Sequence, residues 1–547
     1  MFLQPLSLVL LLFSLPQQPP APAPALQFRI SGIVVNAVNG QPISRAQVSI
    51  GSPKLPDSPR TVSASDDGRF VFENLPAGTY QLTARRKGYI QQAYKQHESF
   101  STGIVVGPDL NTDNLRLELR PAASLSGQIF DEMNDPVRNA QVNLLRQGLR
   151  SGRLATWRQG QITTDDEGHY HFGYLAPGNY LVAVSAQPWY AQQVPRLHTR
   201  PDQTVSEGVT RPDPVDPAFD VTYPVTFFSN ARDISGASPI TLHPGDAATV
   251  DITLQPIPAL HLIIRSPSPG EPNQSERFWA NITQPLGDGL EEHVQARSQE
   301  IAPGVIEVSG LPPGRFTLAL NSSKGNESTT RSQVLQVIQD AEINASEALP
   351  SSSISGVIKK DDGSPFSRPT NLQFRSSTTR TVLVAQVDLN GEFALKGQNA
   401  MPGTYEVTVA GAVAIRSLTA DGAKVSGHSV EIGPGQNVRV SVVVSEGSGQ
   451  VKGFALKDGK PMDGVMIVLV PQDPERNREL FRRDQSDSDG SFNLSGILPG
   501  KYTLIALENA WDSDWSSPGF LQKYLAAGEP VQISANDKLQ FKVQVQP

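Results

Sequence analysis

The sequence predicts an all-β chain, a tandem array of about five antiparallel Greek-key β-sandwich modules. Three observations carry that expectation. A two-part phrase recurs along the chain, apolar residues alternate at period two inside each part, and Gly, Pro, Asn and Asp punctuate between the alternating runs. No run predicts a helix of more than two turns.

The opening part of the phrase reads "ISGIVVNAVNGQPISRAQVSI" near residue 30. It returns as "LSGQIFDEMNDPVRNAQVNLL", "ISGVIKKDDGSPFSRPTNLQF" and "VKGFALKDGKPMDGVMIVLV". Ile33 with Val35, and Val48 with Ile50, fall two apart and so mark one face of a half-buried strand. Asn39-Gly40 and Asp458-Gly459 are hairpin dipeptides.

The second part follows some 35 to 40 residues later as "DDGRFVFENLPAGTY" (66–80), "TDDEGHYHFGYLAPGNY" (164–180), "VDLNGEFALKGQNAMPGTY" (387–405) and "SDSDGSFNLSGILPGKY" (486–502). Gly68, Gly168, Gly391 and Gly490 suit a tight turn because glycine accepts positive φ. The acids Asp66, Asp165, Asp388 and Asp487 are expected to accept bonds from turn amides. Tyr80, Tyr180, Tyr405 and Tyr502 are expected to form tyrosine corners, buried rings whose hydroxyls return to nearby backbone. A worn fifth copy, "LHLIIRS" to "GVIEVSGLPPGRFTLAL", lacks the acidic turn and has Phe316 in place of the tyrosine.

These phrases divide the chain into a signal peptide (1–25) and modules at 26–120, 121–258 with a long aromatic insertion, 259–350, 351–447 and 448–547. The apolar run Leu6–Leu15 is too short to cross a bilayer, and Ala23-Pro24-Ala25 offers a cleavage site. Secretion to the periplasm, outer envelope or medium is the expectation, with no transmembrane segment. The 547 residues hold no cysteine, which excludes a disulfide scaffold, thiolate metal sites and thiol catalysis. A net charge of -8 provides no basic field for nucleic acid.

The paired phrases resemble the carboxypeptidase regulatory-like domain, a transthyretin-like (prealbumin/Ig-like) seven-stranded sandwich that occurs beside zinc carboxypeptidases and recurs in bacterial surface proteins. They are similar also to the B-type repeats of collagen adhesins. The resemblance implies a β-sandwich fold and an extracellular setting. It implies no peptidase activity, since this module lacks the catalytic centre.

No catalytic constellation survives inspection, so the chain reads as no enzyme, with no metal or cofactor. "HSVE" (428–431) has the first half of a zinc motif, but no later histidine supplies the third ligand. His169 and His171 share a strand face that is expected to meet solvent. "DQSDSDGS" (484–491) would need an acid at Gln485 to be a calcium loop. Lys452 is suitably placed for an adhesin-type isopeptide bond but finds no asparagine partner.

Binding candidates concentrate in the segments after each tyrosine strand: Trp189, Tyr190, Tyr223, Trp511, Trp515 and Tyr524. Exposed rings there would stack on a polysaccharide or grip a protein ligand. Alternatively, they plug junctions between modules. A third reading makes the series a stalk whose purpose is reach, with linkers near 120, 258, 350 and 447.

Overall fold

The computed structural model describes residues 27–547 apart from 54–57, 151, 193–215, 267–275, 288–289, 303, 325–326, 367, 377–380, 396–399, 411–412 and 476. The signal peptide therefore lies outside the described residues. The described residues form strands, two short 3₁₀ turns and one α-helix, Pro518–Leu525.

Apolar side chains gather into five principal clusters, spanning Ile30–Leu119, Ala123–Leu254, Leu262–Ala348, Ile354–Val444 and Val451–Val543. We number the sandwiches around them units one to five. In unit one, Phe28–Asn36 lies between Arg69–Leu75 and Leu115–Leu119. The facing sheet runs Arg60–Ser63, Gln47–Gly51, Gly78–Arg85, with Gln92–Ala93 and Ile104–Val106 completing it. Period-two alternation works in the second phrase, where Phe70, Phe72, Tyr80, Leu82 and Ala84 are all buried. In the first strand the core face is the opposite one from that expected: Ile30 and Val34 enter the cluster, while Ile33 is half-buried and Val35 is buried outside that cluster.

In every unit the first strand pairs in parallel with a late one, a ladder absent from a purely antiparallel sandwich. The pairs begin at Gly32 and Leu115, Ser124 and Ala247, Leu262 and Ala341, Ser353 and Asn437, and Gln450 and Lys538. This contact explains the "SG" of the opening phrase. A Cβ on Gly32, Gly127, Gly356 or Gly453 would lie 2.2, 1.9, 1.8 or 2.0 Å from a carbonyl oxygen of the late strand. On the other side of each glycine the register places an aromatic residue: Phe70, Tyr170, Phe393 or Phe492. Unit three has Ile264 opposite Ile306 at this place. It is nonetheless a complete sandwich, with a four-stranded and a five-stranded sheet.

The units are joined by bonded contacts. Ala122 N donates to Gly88 O between units one and two, and Ser351 N donates to Thr330 O where unit three gives way to unit four. Between units two and three, the Glu292 carboxylate is 2% exposed and accepts from Arg158 and, at 3.1 Å, from Asn143. At the same junction the buried His261 ring has Glu307 Oε1 2.7 Å from Nδ1 and Asp220 Oδ1 3.0 Å from Nε2.

The stalk reading needs correction, because the chain folds back and unit five docks on units one and two. Gln485, 1% exposed, donates to Lys95 O at 2.7 Å and to Thr102 Oγ1 at 2.8 Å, and its Oε1 lies 3.2 Å from His97 Nδ1. Val105 N donates to Ser488 Oγ. Ion pairs Lys95–Asp463 (2.6 Å) and Glu98–Arg483 (2.8 Å) flank these bonds, and Ser516 Oγ donates to Gly152 O of unit two.

Candidate binding surfaces

The repeated residues form the turn and corner of each sandwich. Gly68, Gly168, Gly391 and Gly490 take φ of 76, 75, 82 and 78°. Asp165 Oδ1 accepts from the amides of Glu167 and His169, and Asp388 Oδ1 from those of Asn390 and Glu392, at 2.8 to 3.0 Å. Two of the acids depart from this role. Asp66 is exposed and enters none of the turn's bonds among the described residues, because the equivalent position three before the glycine is Ser65. Asp67 Oδ1 instead accepts from Ser65 Oγ and, more loosely, from Arg69 N. Asp487 holds the equivalent position, yet its Oδ1 accepts from Gly103 N of unit one at 2.9 Å, and Asp489 takes the turn amide of Ser491. Docking of unit five has diverted that carboxyl outward.

Tyr80, Tyr180, Tyr405 and Tyr502 are buried, and each hydroxyl donates to the carbonyl four residues earlier, Pro76, Ala176, Met401 and Leu498, at 2.6 to 2.8 Å. Burial raises the Tyr80, Tyr180 and Tyr405 hydroxyls above the ordinary phenol range, so each remains a donor at physiological pH. Phe316 occupies the corner of unit three at 1% exposed, filling the volume without the bond.

The six aromatic candidates separate into two groups. Trp511 and Trp515 are 6% and 3% exposed. Trp511 is stacked on His97 of unit one, centroids 4.9 Å apart and planes 7° from parallel, and donates to Gly464 O. Trp515 lies 4.2 Å beneath the Arg483 guanidinium and against Gly152 of unit two. Tyr524 sits on the short helix against Phe520, 5.0 Å between centroids. The two tryptophans seal the docking interface of unit five and offer no open face for a ligand. Trp157 lies in the strand Leu154–Thr163, near Arg146.

The second group lies in unit two. Tyr223 is buried, and its hydroxyl donates to Glu132 Oε2 at 2.8 Å, while the Tyr190 hydroxyl donates to Glu132 Oε1. Burial pushes the Glu132 carboxyl up, but the two phenols and its own backbone amide together hold it below the usual carboxylate range. Burial, then the bond to Glu132, pushes Tyr190 up to about 12. Trp189 stands edge-on to Tyr190 at 5.7 Å and 86°, and is 85% exposed. The arrangement is an open indole carried on an anchored phenol pair.

Residues 29–118 and 124–210 match the family model of the carboxypeptidase regulatory-like domain. The first two units belong to that family. The sequence matches no curated protein. Similar solved structures include a streptococcal ancillary pilin, 13% identical, covering 53% of this chain and 99% of its own at a TM-score of 0.20. The Bacillus anthracis TIE protein is 12% identical over 97% of this chain and 76% of its own at 0.17, and the shaft pilin SpaA of Lactobacillus rhamnosus GG 10% identical over 42% and 97% at 0.19. Superpositions at such scores do not extend to the overall architecture.

The regulatory-like units carry no metal constellation: among the described residues no group of three or more His, Cys, Asp or Glu could hold an ion. His169 and His171 in the second such unit are exposed, His169 beside Asp165 and Glu167. Lys452 of unit five lies exposed on an outer sheet face, away from the core where a cross-link would form. A cavity of about 480 Å³ lies between the first regulatory-like unit and unit five, lined by Arg116, Glu118, Arg120, Asp463 and Glu508 among others. Its cations and anions are balanced and largely paired with each other. No helix among the described residues is long and apolar enough to cross a membrane.

Proposed function

We propose that this protein is a non-catalytic scaffold of the bacterial envelope or the extracellular space, which presents an aromatic ligand platform from a rigid, closed array. The closure carries the reading. Sandwiches whose first three junctions are hydrogen-bonded, and whose end units are clasped to one another, form a body that fixes the position of its loops. A catalyst needs convergent acids, bases or nucleophiles, and the described clusters are consumed in turns and junctions. Domain boundaries at 26–120, 121–258, 259–350, 351–447 and 448–547 are part of this reading, supported by one apolar cluster in each span. The cysteine-free chain and the apolar run Leu6–Leu15 support export.

Trp189 is the ring on which a ligand would rest. A polysaccharide chain or an extended peptide suits an open indole face backed by fixed phenols and a carboxylate. Tryptophan fluorescence titrated with a panel of polysaccharides and peptides tests it. A ligand that quenches the wild type and not Trp189→Ala supports the platform; a ligand whose binding is equal in both proteins places the site elsewhere. Small-angle scattering tests the closed array. A ring of five 100-residue sandwiches gives a radius of gyration of about 32 Å, a straight file about 48 Å.

A further inference from the structure

We propose that the contact between units one and five is a proton-gated latch, closed while Asp487 carries a proton and released as that carboxyl ionises. Asp487 stands in the interface, half-buried, next to Gln485 and Ser486, which are 1% and 0% exposed. Its Oδ1 accepts from Gly103 N, and the approach is so close that a Cβ on Gly103 would lie 2.6 Å from that oxygen.

The surrounding charges do not compensate it. From its own unit, Asp484, which accepts from Asn493 N and Gln485 N, and Asp489, which accepts from Ser491 N, are further carboxyls. From unit one, Gly103 and Val105 approach through backbone amides, and Thr79 presents a methyl beside Gly103. The charged groups of that face are engaged elsewhere: Lys95 with Asp463, Glu98 with Arg483. The His97 ring faces Gln485 and Trp511. No cation pairs with Asp487 among the described residues.

Burial is the main cause that pushes the Asp487 carboxyl up, to about 7; the Gly103 bond opposes it, and Asp484 and Asp489 reinforce it. In the released form the group returns to the ordinary carboxylate range. Closure is therefore fully favoured below about pH 4, where both forms hold the proton. It weakens as pH rises towards 7, where the released form has ionised and the closed form resists. A neutral carboxyl keeps its carbonyl oxygen for Gly103 N. Discounted for partial solvent access, the closing constant falls about tenfold between pH 5 and 8.

Hydrogen exchange of the amides in 95–106 on the full chain, corrected for the intrinsic pH dependence of exchange, reads that constant directly, with strand 141–149 as internal reference. The expected result is about tenfold loss of protection in 95–106 between pH 5 and 8, no such loss in Asp487→Asn, and a uniform weakening with the pH dependence retained in Glu98→Gln. Wild-type protection constant within threefold over that range overturns the proposal. So does the same transition in Asp487→Asn, which would assign the titration to another group.

Discussion

Replacing Gly127 by alanine tests the account of the repeated "SG" most severely. A Cβ there would sit 1.9 Å from Val250 O and 2.9 Å from the Tyr170 ring. An ordinary contact needs more than 3 Å, so the late strand must retreat by about 1 Å, and overpacking of that kind costs about 1 to 3 kcal/mol. Val250 O also accepts the Tyr170 hydroxyl at 2.6 Å, and losing that buried bond adds about 1 kcal/mol. The expected loss is about 3 kcal/mol in unit two, or roughly a hundredfold faster opening-limited exchange of its ladder amides. Native-state hydrogen exchange on the full chain measures it unit by unit, which avoids a two-state assumption for a five-unit protein. The matched control is Gly519→Ala, where no atom lies within 4 Å of the new methyl. A change below tenfold in Gly127→Ala, or an equal loss in unit four, would refute the close-approach reasoning.

Tyr405→Phe should cost about 1 kcal/mol in unit four by removing the bond to Met401 O, measured as faster exchange in strand 403–409. Arg158→Met leaves Glu292 buried without its cation. It should destabilise the contact between units two and three by about 3 kcal/mol, seen as loss of protection in 290–293. Trp189→Ala should leave the melting temperature within about 1 °C of wild type, since the ring is exposed; differential scanning calorimetry checks this.

The sandwich architecture was legible because strands such as Arg69–Leu75 and Val382–Val387 have a wet face and a dry face, so burial imprints period two on the sequence; Met466–Pro471, buried on both faces, lacks that imprint. The turn glycines and corner tyrosines were legible because each serves a local geometry, within four residues of its partner. What escaped was long-range. Gly32 and its equivalents meet a strand roughly 80 to 125 residues away, and nothing near them announces that neighbour. Gln485 looked like a broken calcium frame, while its amide is spent on bonds to Lys95 and Thr102. A neutral residue with both donor and acceptor is what that interface requires. Trp511 and Trp515 shared a composition with Trp189, yet only coordinates separate rings that cover a junction from one that faces solvent. The acid of the first turn was misplaced by one position because Ser65 substitutes for aspartate there.

The bonds between units five and one join residues 368 to 390 apart in sequence. Closing a loop of that many free residues costs about 5 kcal/mol of chain entropy, whereas closing five bodies already folded costs nearer 1.4 kcal/mol. Prior folding of the intervening sandwiches thus lowers the entropic cost of forming the interface by about 4 kcal/mol. One misfolded member anywhere along the series would raise that cost, so the meeting of the two ends reports on the integrity of the whole molecule.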